Sequence, residues 1–181
     1  MLEARLSGRP PSEKCKTNSG GHWFTLWADP EQFLFRYHCF VQNLQLHANK
    51  STPVTVSNLE GVNIRPRDYG GTAGIEFSNA GTKEPQVNYM HKLVDAFVAS
   101  GYERGVSIRA ATNDFRAVGL PNVLHRYYSN LTDLVEETFK INNNTKVHLL
   151  SHSLGGPLAN LFLTSAVNKT WKDRFIASHI M

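Results

Sequence analysis

The sequence predicts an α/β fold, a parallel sheet with flanking helices joined to an aromatic-rich cap. Three observations lead there. Residues 146–168 read KVHLLSHSLGGPLANLFLTSAVN: a short apolar strand from Val147 to Leu150, a tight turn, then Leu154, Leu158, Leu161, Phe162 and Ala166 at helical spacings of three and four. Strand-like and helix-like segments alternate through the second half, as parallel strands joined by crossover helices do. Residues 22–47 instead crowd His22, Trp23, Phe24, Trp27, Phe33, Phe35, Tyr37 and Phe40 into a short span. The 181 residues suffice for one sizeable domain, and 41% hydrophobic with 19% charged residues is ordinary for a globular chain.

Taken in order, residues 1–21 are rich in Gly, Ser, Pro and Lys and read as loop. In the aromatic stretch, Phe33, Tyr37, Phe40, Val41 and Leu44 suit one face of a helix. Such a face is either ordinary core or a lipid-facing cap. Residues 61–69 read as a strand running into a turn, broken by Pro66 and continued by Gly70, Gly71 and Gly74. Residues 86–100 form an amphipathic helix with a glycine stop at Gly101. A short strand is expected over Val106–Ala110, and a second helix from Asn122 to Ile141, ended by Asn142, Asn143 and Asn144. The strand at 147–150 and a helix over 154–168 follow. The expected organisation is therefore an N-terminal cap segment, residues 1–60, and an α/β core, residues 61–181.

The formal charge of +4 comes from scattered Lys and Arg, with no basic run or basic helix, which argues against a nucleic-acid partner. It leaves a weak attraction to anionic surfaces open. Val147 to Asn168 carries no Lys, Arg, Asp or Glu. It is not a membrane span, because two histidines, three serines, Gly155-Gly156-Pro157 and Asn160 lie inside it. Residues 1–5 lack the apolar region of a secretory signal. Four glycosylation sequons, at Asn49, Asn130, Asn143 and Asn168, nevertheless point to the secretory pathway. Cys15 and Cys39 are the only cysteines. In a secreted chain an even pair suggests one disulfide; two free thiols are the alternative.

Ser151-His152-Ser153-Leu154-Gly155 looks like the nucleophile elbow of α/β-hydrolases, which places a serine on a strained strand-to-helix turn below an oxyanion site. Ser151 replaces the first glycine of G-x-S-x-G, and Gly155 leaves room for the turn. The plainer reading makes Ser153 a helix N-cap. His152 is expected to line the site but not to act as base, since adjacent residues on a tight turn point apart.

Further blocks carry a resemblance: Trp23-Phe24-Thr25-Leu26-Trp27, Gly61-Val62-Asn63-Ile64-Arg65-Pro66, Gly101-Tyr102-Glu103-Arg104-Gly105, Asp114-Phe115-Arg116, the elbow, and Trp171-Lys172-Asp173. In this order they resemble the lecithin:cholesterol acyltransferase and lysosomal phospholipase A (group XV) family. The resemblance implies a partial α/β-hydrolase fold. It also implies a serine-dependent phospholipase or O-acyltransferase working through a Ser-Asp-His triad, with no cofactor and no metal. Ser153 matches the nucleophile and Leu154 the residue supplying an oxyanion N–H. Cys15 and Cys39 match a disulfide that closes a lipid-binding cap, and Trp23 and Trp27 resemble residues that touch lipid. The implied partner is a phospholipid membrane or lipoprotein surface, with a lipophilic alcohol as a candidate acceptor. The implied location is lysosomal or extracellular.

Departures from the family shape the remaining expectations. Asp114-Phe115-Arg116 replaces Asp-Trp-Arg, and Asp114 divides between a substrate-site role and a turn or cap role. The family's second oxyanion N–H lies just before Leu2, and its triad Asp and His lie far beyond the elbow. This chain ends 28 residues after Ser153. His179, the only histidine after Ser153, sits wrongly for the order Ser, Asp, His and reads as a surface or strand-end residue. The chain as written is thus expected to be a fragment, inactive alone because its serine lacks a base. Two alternatives stay open: a non-catalytic lipid-binding module, and an unrelated α/β-hydrolase esterase.

Overall fold

A computed structural model of the chain describes residues 1–7, 15, 21–27, 29–50, 52, 54–78 and 87–181. It contains mixed helix and sheet in two compact units, Met1–Leu120 and Pro121–Met181. The strand β5 (Val62–Pro66) pairs with the N-terminal strand in the first unit.

In the first unit, β1 (Leu2–Leu6), β2 (Phe24–Trp27) and β5 form an antiparallel sheet in the order β2-β1-β5. Period-two alternation builds it. Leu2, Ala4 and Leu6 are buried, while Glu3 and Arg5 take the other face. The cluster of Ala4, Leu26 and Phe40, flanked by Phe24, Leu44 and Ile64, is the core beneath. Phe40 comes from α2 (Tyr37–Leu44), which follows α1 (Pro30–Phe35) after a break at Arg36. Asp29 caps α1, its carboxylate accepting from the Glu31 N–H at 2.9 Å, and Pro30 opens the helix where no N–H is needed. The hairpin β3 (Leu46–Asn49) and β4 (Thr55–Asn58), the short helix α3 (Ala73–Glu76) and α4 (His91–Ala99) complete the elements of this unit.

In the second unit, α5 (Pro121–Ile141) precedes β6 (Val147–Leu150), α6 (Gly155–Leu161), a π-helical segment Phe162–Ala166, α7 (Lys169–Phe175) and β7 (Ile176–Ile180). β6 and β7 pair in parallel, with Leu149 opposite His179 and Leu150 opposite Ile180. Phe162 is fully buried, with its ring centroid 5.5 Å from Tyr128 and 5.6 Å from Trp171. The Tyr128 hydroxyl donates to the Leu158 carbonyl at 3.0 Å, tying α5 to α6.

Several expectations are corrected. Leu2–Leu6 is a central strand inside a stretch expected to be loop. The strand expected over Val106–Ala110 is a turn, stitched by an isolated Arg104–Ile108 bridge. The helix expected over 86–100 starts at His91; residues 87–90 are not helical, Asn88 bridging to Phe77, and residue 86 lies outside the described residues. The helix expected over 154–168 runs as α6 and then widens into the π segment. β7 adds a strand beyond the elements that the sequence predicts. Among the described residues the parallel pairing of named strands is confined to β6 and β7, the other ladders being antiparallel. No helix among the described residues is long and apolar enough to cross a membrane.

Candidate active site

The turn between β6 and α6 carries the elbow geometry. Ser153 has φ +54°, a left-handed conformation that costs an L-residue about 1 kcal/mol or more. The other non-glycine residues with positive φ among those described are Asp68, Asn143 and Asn144, residue types that adopt it readily. Serine is not one of them, so the turn is strained at the residue that matches the nucleophile. Ser153 is exposed, and its hydroxyl has no hydrogen-bond partner among the described residues. The N-cap position of α6 is Leu154, with no side-chain capping bond. Ser153 is thus not the plain cap that the simpler reading made it. Leu154 is helical and exposed, and its N–H belongs to the first turn, whose donors find no partner inside the helix.

Gly155 is less demanding than expected. A Cβ there would lie 3.6 Å from the Ser151 Cβ, an ordinary contact, and its φ is not positive. The conformational strain sits on Ser153 instead. His152 is exposed beside it. His179 lies in β7, where its Nε2 is 2.9 Å from the Ser151 Oγ rather than bonded to Ser153.

The remaining candidates lie in the first unit. Cys15 and Cys39 are joined by a disulfide with Cα atoms 5.4 Å apart, Cys39 lying within α2. Trp23 meets two cations: the Arg65 guanidinium is 4.0 Å and the Arg5 guanidinium 5.0 Å from its ring centroid. Trp27 packs toward the core side instead, stacked on Phe40 at 5.8 Å and tilted against Phe115 at 4.9 Å. The irregularity in pairing at Leu2/Glu3 accompanies this switch of faces. Because β2 is the edge strand, both tryptophans still lie along one edge of the sheet. The helices α1 and α2 present Phe33, Leu34, Phe35 and Tyr37 to solvent, with Leu34 66% and Phe35 81% exposed. The sequence already offered the helix face with Phe33 and Tyr37 as either core or lipid-facing cap; the exposed residues include Leu34 and Phe35 as well.

Asp114 is engaged by its neighbour. Arg116 donates to its two carboxylate oxygens at 2.9 and 2.7 Å, and also to Asn58 Oδ1 and the Leu44 carbonyl. The Arg116 side chain is only 6% exposed, so this clamp fastens the 114–118 turn to the β3–β4 hairpin. A second network went unnoticed in the sequence. Glu76 accepts from Thr72 at 2.6 Å and from Arg104 at 3.0 and 3.1 Å, and meets His91 at 2.7 Å. Asp95 meets both His91 and Arg104. Hydrogen bonds from Arg104 hold the Glu76 carboxyl well below the usual range, at about 2. Glu76, His91 and Asp95 stand close enough to ligate one cation, but the Arg104 guanidinium already bonds both carboxylates and supplies that charge. The four sequon asparagines are all exposed; Asn168 caps α7 and Asn143 lies in a left-handed turn after α5.

The second unit thus holds a strained serine between a strand and a helix, and the first unit holds a disulfide-tied aromatic segment. The family model for lecithin:cholesterol acyltransferase matches residues 23–181. The lysosomal phospholipase A and acyltransferase of Bos taurus is 31% identical over 181 residues, covering 99% of this chain and 43% of the relative. The Homo sapiens protein of that name is 30% identical, covering 99% and 42%. The Homo sapiens phosphatidylcholine-sterol acyltransferase is 35% identical over 159 residues, covering 87% and 34%. The chain belongs to the lecithin:cholesterol acyltransferase family. It spans less than half the length of each of these relatives.

Proposed function

We propose that this chain carries the nucleophile and the lipid-docking cap of a serine-dependent phospholipase or O-acyltransferase, active on glycerophospholipid acyl esters within a full-length protein. The observation that carries the reading is the positive φ of Ser153 at the β6–α6 turn. Nothing in local propensity favours a serine there, so the strain has its reason in function. In the reaction, the Ser153 hydroxyl attacks the acyl carbonyl and the Leu154 N–H faces the resulting oxyanion. The alcohol leaves, and water or a lipophilic alcohol resolves the acyl-enzyme. No cofactor or metal is required by this chemistry.

The core in this reading is a partial α/β-hydrolase, residues 61–181, and the cap is residues 1–60. The exposed Phe33, Leu34 and Phe35, consecutive in α1, support membrane docking, since exposed apolar side chains grouped in this way mark an interaction site. Trp23, set against Arg5 and Arg65, suits the headgroup level, where indole and guanidinium both favour the interface. His152 and Asp114 remain candidates for lining the substrate site, Asp114 through its clamp with Arg116. A lysosomal or extracellular location fits the disulfide and the exposed sequons.

Taken alone, residues 1–181 should not turn over phospholipid, because among the described residues no Asp or His is hydrogen-bonded to Ser153. That same observation favours a second reading, a lipid-binding module without chemistry. Fatty-acid release from phosphatidylcholine liposomes by the full-length protein decides between them. Ser153→Ala should lower it by about three orders of magnitude or more. Unchanged release with Ser153→Ala would remove Ser153 as nucleophile, and no release from either protein, with liposome binding retained, would favour the module.

A further inference from the structure

We infer that Ser151 and His179 form a serine–histidine dyad, in which Ser151 is a second nucleophile toward activated acyl and phosphonyl esters. The inference is independent of the role given to Ser153. The Ser151 Oγ lies 2.9 Å from the His179 Nε2, within the range in which an imidazole takes a hydroxyl proton. The main chain sets this contact. The Ser151 N–H donates to the Ile180 carbonyl at 2.9 Å, and Leu149 pairs with His179 in the parallel ladder. Both side chains therefore project to the same face of the β6–β7 pair, and both are partly exposed, so an ester can reach them.

The hydroxyl has one proton and two acceptors, Nε2 at 2.9 Å and the Ile180 carbonyl at 3.3 Å. With the ring proton on Nδ1, the tautomer a general base needs, Nε2 accepts the hydroxyl proton; with it on Nε2, the ring donates to Oγ and the hydroxyl donates to the Ile180 carbonyl. A similar pair, His148 Nδ1 and Ser178 Oγ at 2.8 Å, occupies a neighbouring rung of the ladder. Ser178 lies within β7, however, whereas Ser151 stands past the end of β6, at the carboxyl edge where α/β sheets expose reacting groups.

With a fluorophosphonate, the Ser151 Oγ–P bond forms, the P–F bond breaks, fluoride leaves and the serine proton passes to the His179 Nε2. With p-nitrophenyl butyrate, the acyl–Oγ bond forms, p-nitrophenolate leaves and the proton again goes to Nε2. After the imidazolium releases that proton to solvent, water attacks the acyl-serine, its proton passes to the His179 Nε2 and then to the Ser151 Oγ as butyrate leaves. The test is fluorophosphonate labelling of the 181-residue chain, with the modified residue located by peptide fragmentation. Label should appear on Ser151 and persist in Ser153→Ala. It should vanish in Ser151→Ala, and its rate should fall by about a hundredfold in His179→Gln. Circular dichroism and thermal melting check that the variants fold. As a second readout, Ser151→Cys should react with iodoacetamide about tenfold faster than Ser151→Cys with His179→Gln. An unlabelled Ser153→Ala protein, label on Ser178, or an unchanged rate in His179→Gln would each overturn the dyad.

Discussion

Ser153 stands apart from its neighbours by a single backbone angle. An L-residue at φ +54° is held there by its surroundings, and glycine would adopt the same angle without the Cβ penalty. Ser153→Gly should therefore raise stability by about 1 kcal/mol in urea unfolding while losing the nucleophile. No gain would show that the turn is relaxed and remove the main support for the elbow. Gly155→Ala, by contrast, should be tolerated, since the added methyl meets Ser151 at an ordinary distance. Gly74 is the glycine that a loop cannot replace. A Cβ there would sit 2.2 Å from the Arg67 carbonyl oxygen, so the 67–74 loop must shift to admit any side chain.

At the scale of elements, side-chain networks join segments that are distant in the chain. Glu76, at the end of α3, is held by Arg104, Thr72 and His91, and its carboxyl is depressed to about 2. A depressed folded value means the network contributes fully above about pH 4.5, the ordinary value, and loses that contribution as pH falls toward 2. An acidic compartment near pH 5 would leave it intact. Glu76→Gln should cost about 2 kcal/mol in urea unfolding at neutral pH and flatten the dependence of stability on pH between 4.5 and 2. The Cys15–Cys39 bridge acts on a longer segment, with a sequence separation of 24 residues. Replacing both cysteines with serine should lower stability by about 3 kcal/mol, seen as a shift in the urea midpoint. Peptide mapping without reductant should recover the two cysteines as one linked species.

For the molecule as a whole, the surface beside the core matters as much as the core. Phe35 is 81% exposed, so it contributes little to folding and is available to lipid. Phe35→Ala should leave the melting temperature unchanged and weaken liposome binding about tenfold, the effect of losing roughly 1.4 kcal/mol of apolar burial. Trp27→Ala should weaken binding similarly and also cost some stability, because Trp27 packs on Phe40 and Phe115. Liposome co-sedimentation and thermal melting on the same samples separate the two effects. Unchanged sedimentation for both variants would move the docking surface elsewhere.

Much of this was legible before any fold was seen. The strand at Val147–Leu150 follows from its apolar run and the long helix from Leu124, Leu131, Val135 and Phe139 at helical spacing, because local hydrophobic period reports secondary structure directly. The family membership is legible because short motifs keep their order and spacing along the chain. Other features needed partners far away in sequence. Leu2–Leu6 is a strand because Phe24 and Ile64 flank Ala4, and no local signal in a loop-like N-terminus announces that pairing. Val106–Ala110 has strand composition yet finds no ladder to join, and β propensity is realised only through pairing. Trp23 and Trp27 look equivalent in sequence, but an irregular strand pairing sets one against two arginines and the other against Phe40 and Phe115. The Glu76–Arg104 network and the Ser151–His179 contact join residues 28 positions apart in each case. Residue identities determined which chemistry was available; only the tertiary pairing of strands decided which groups meet, because a hydrogen bond depends on distances that sequence spacing does not fix.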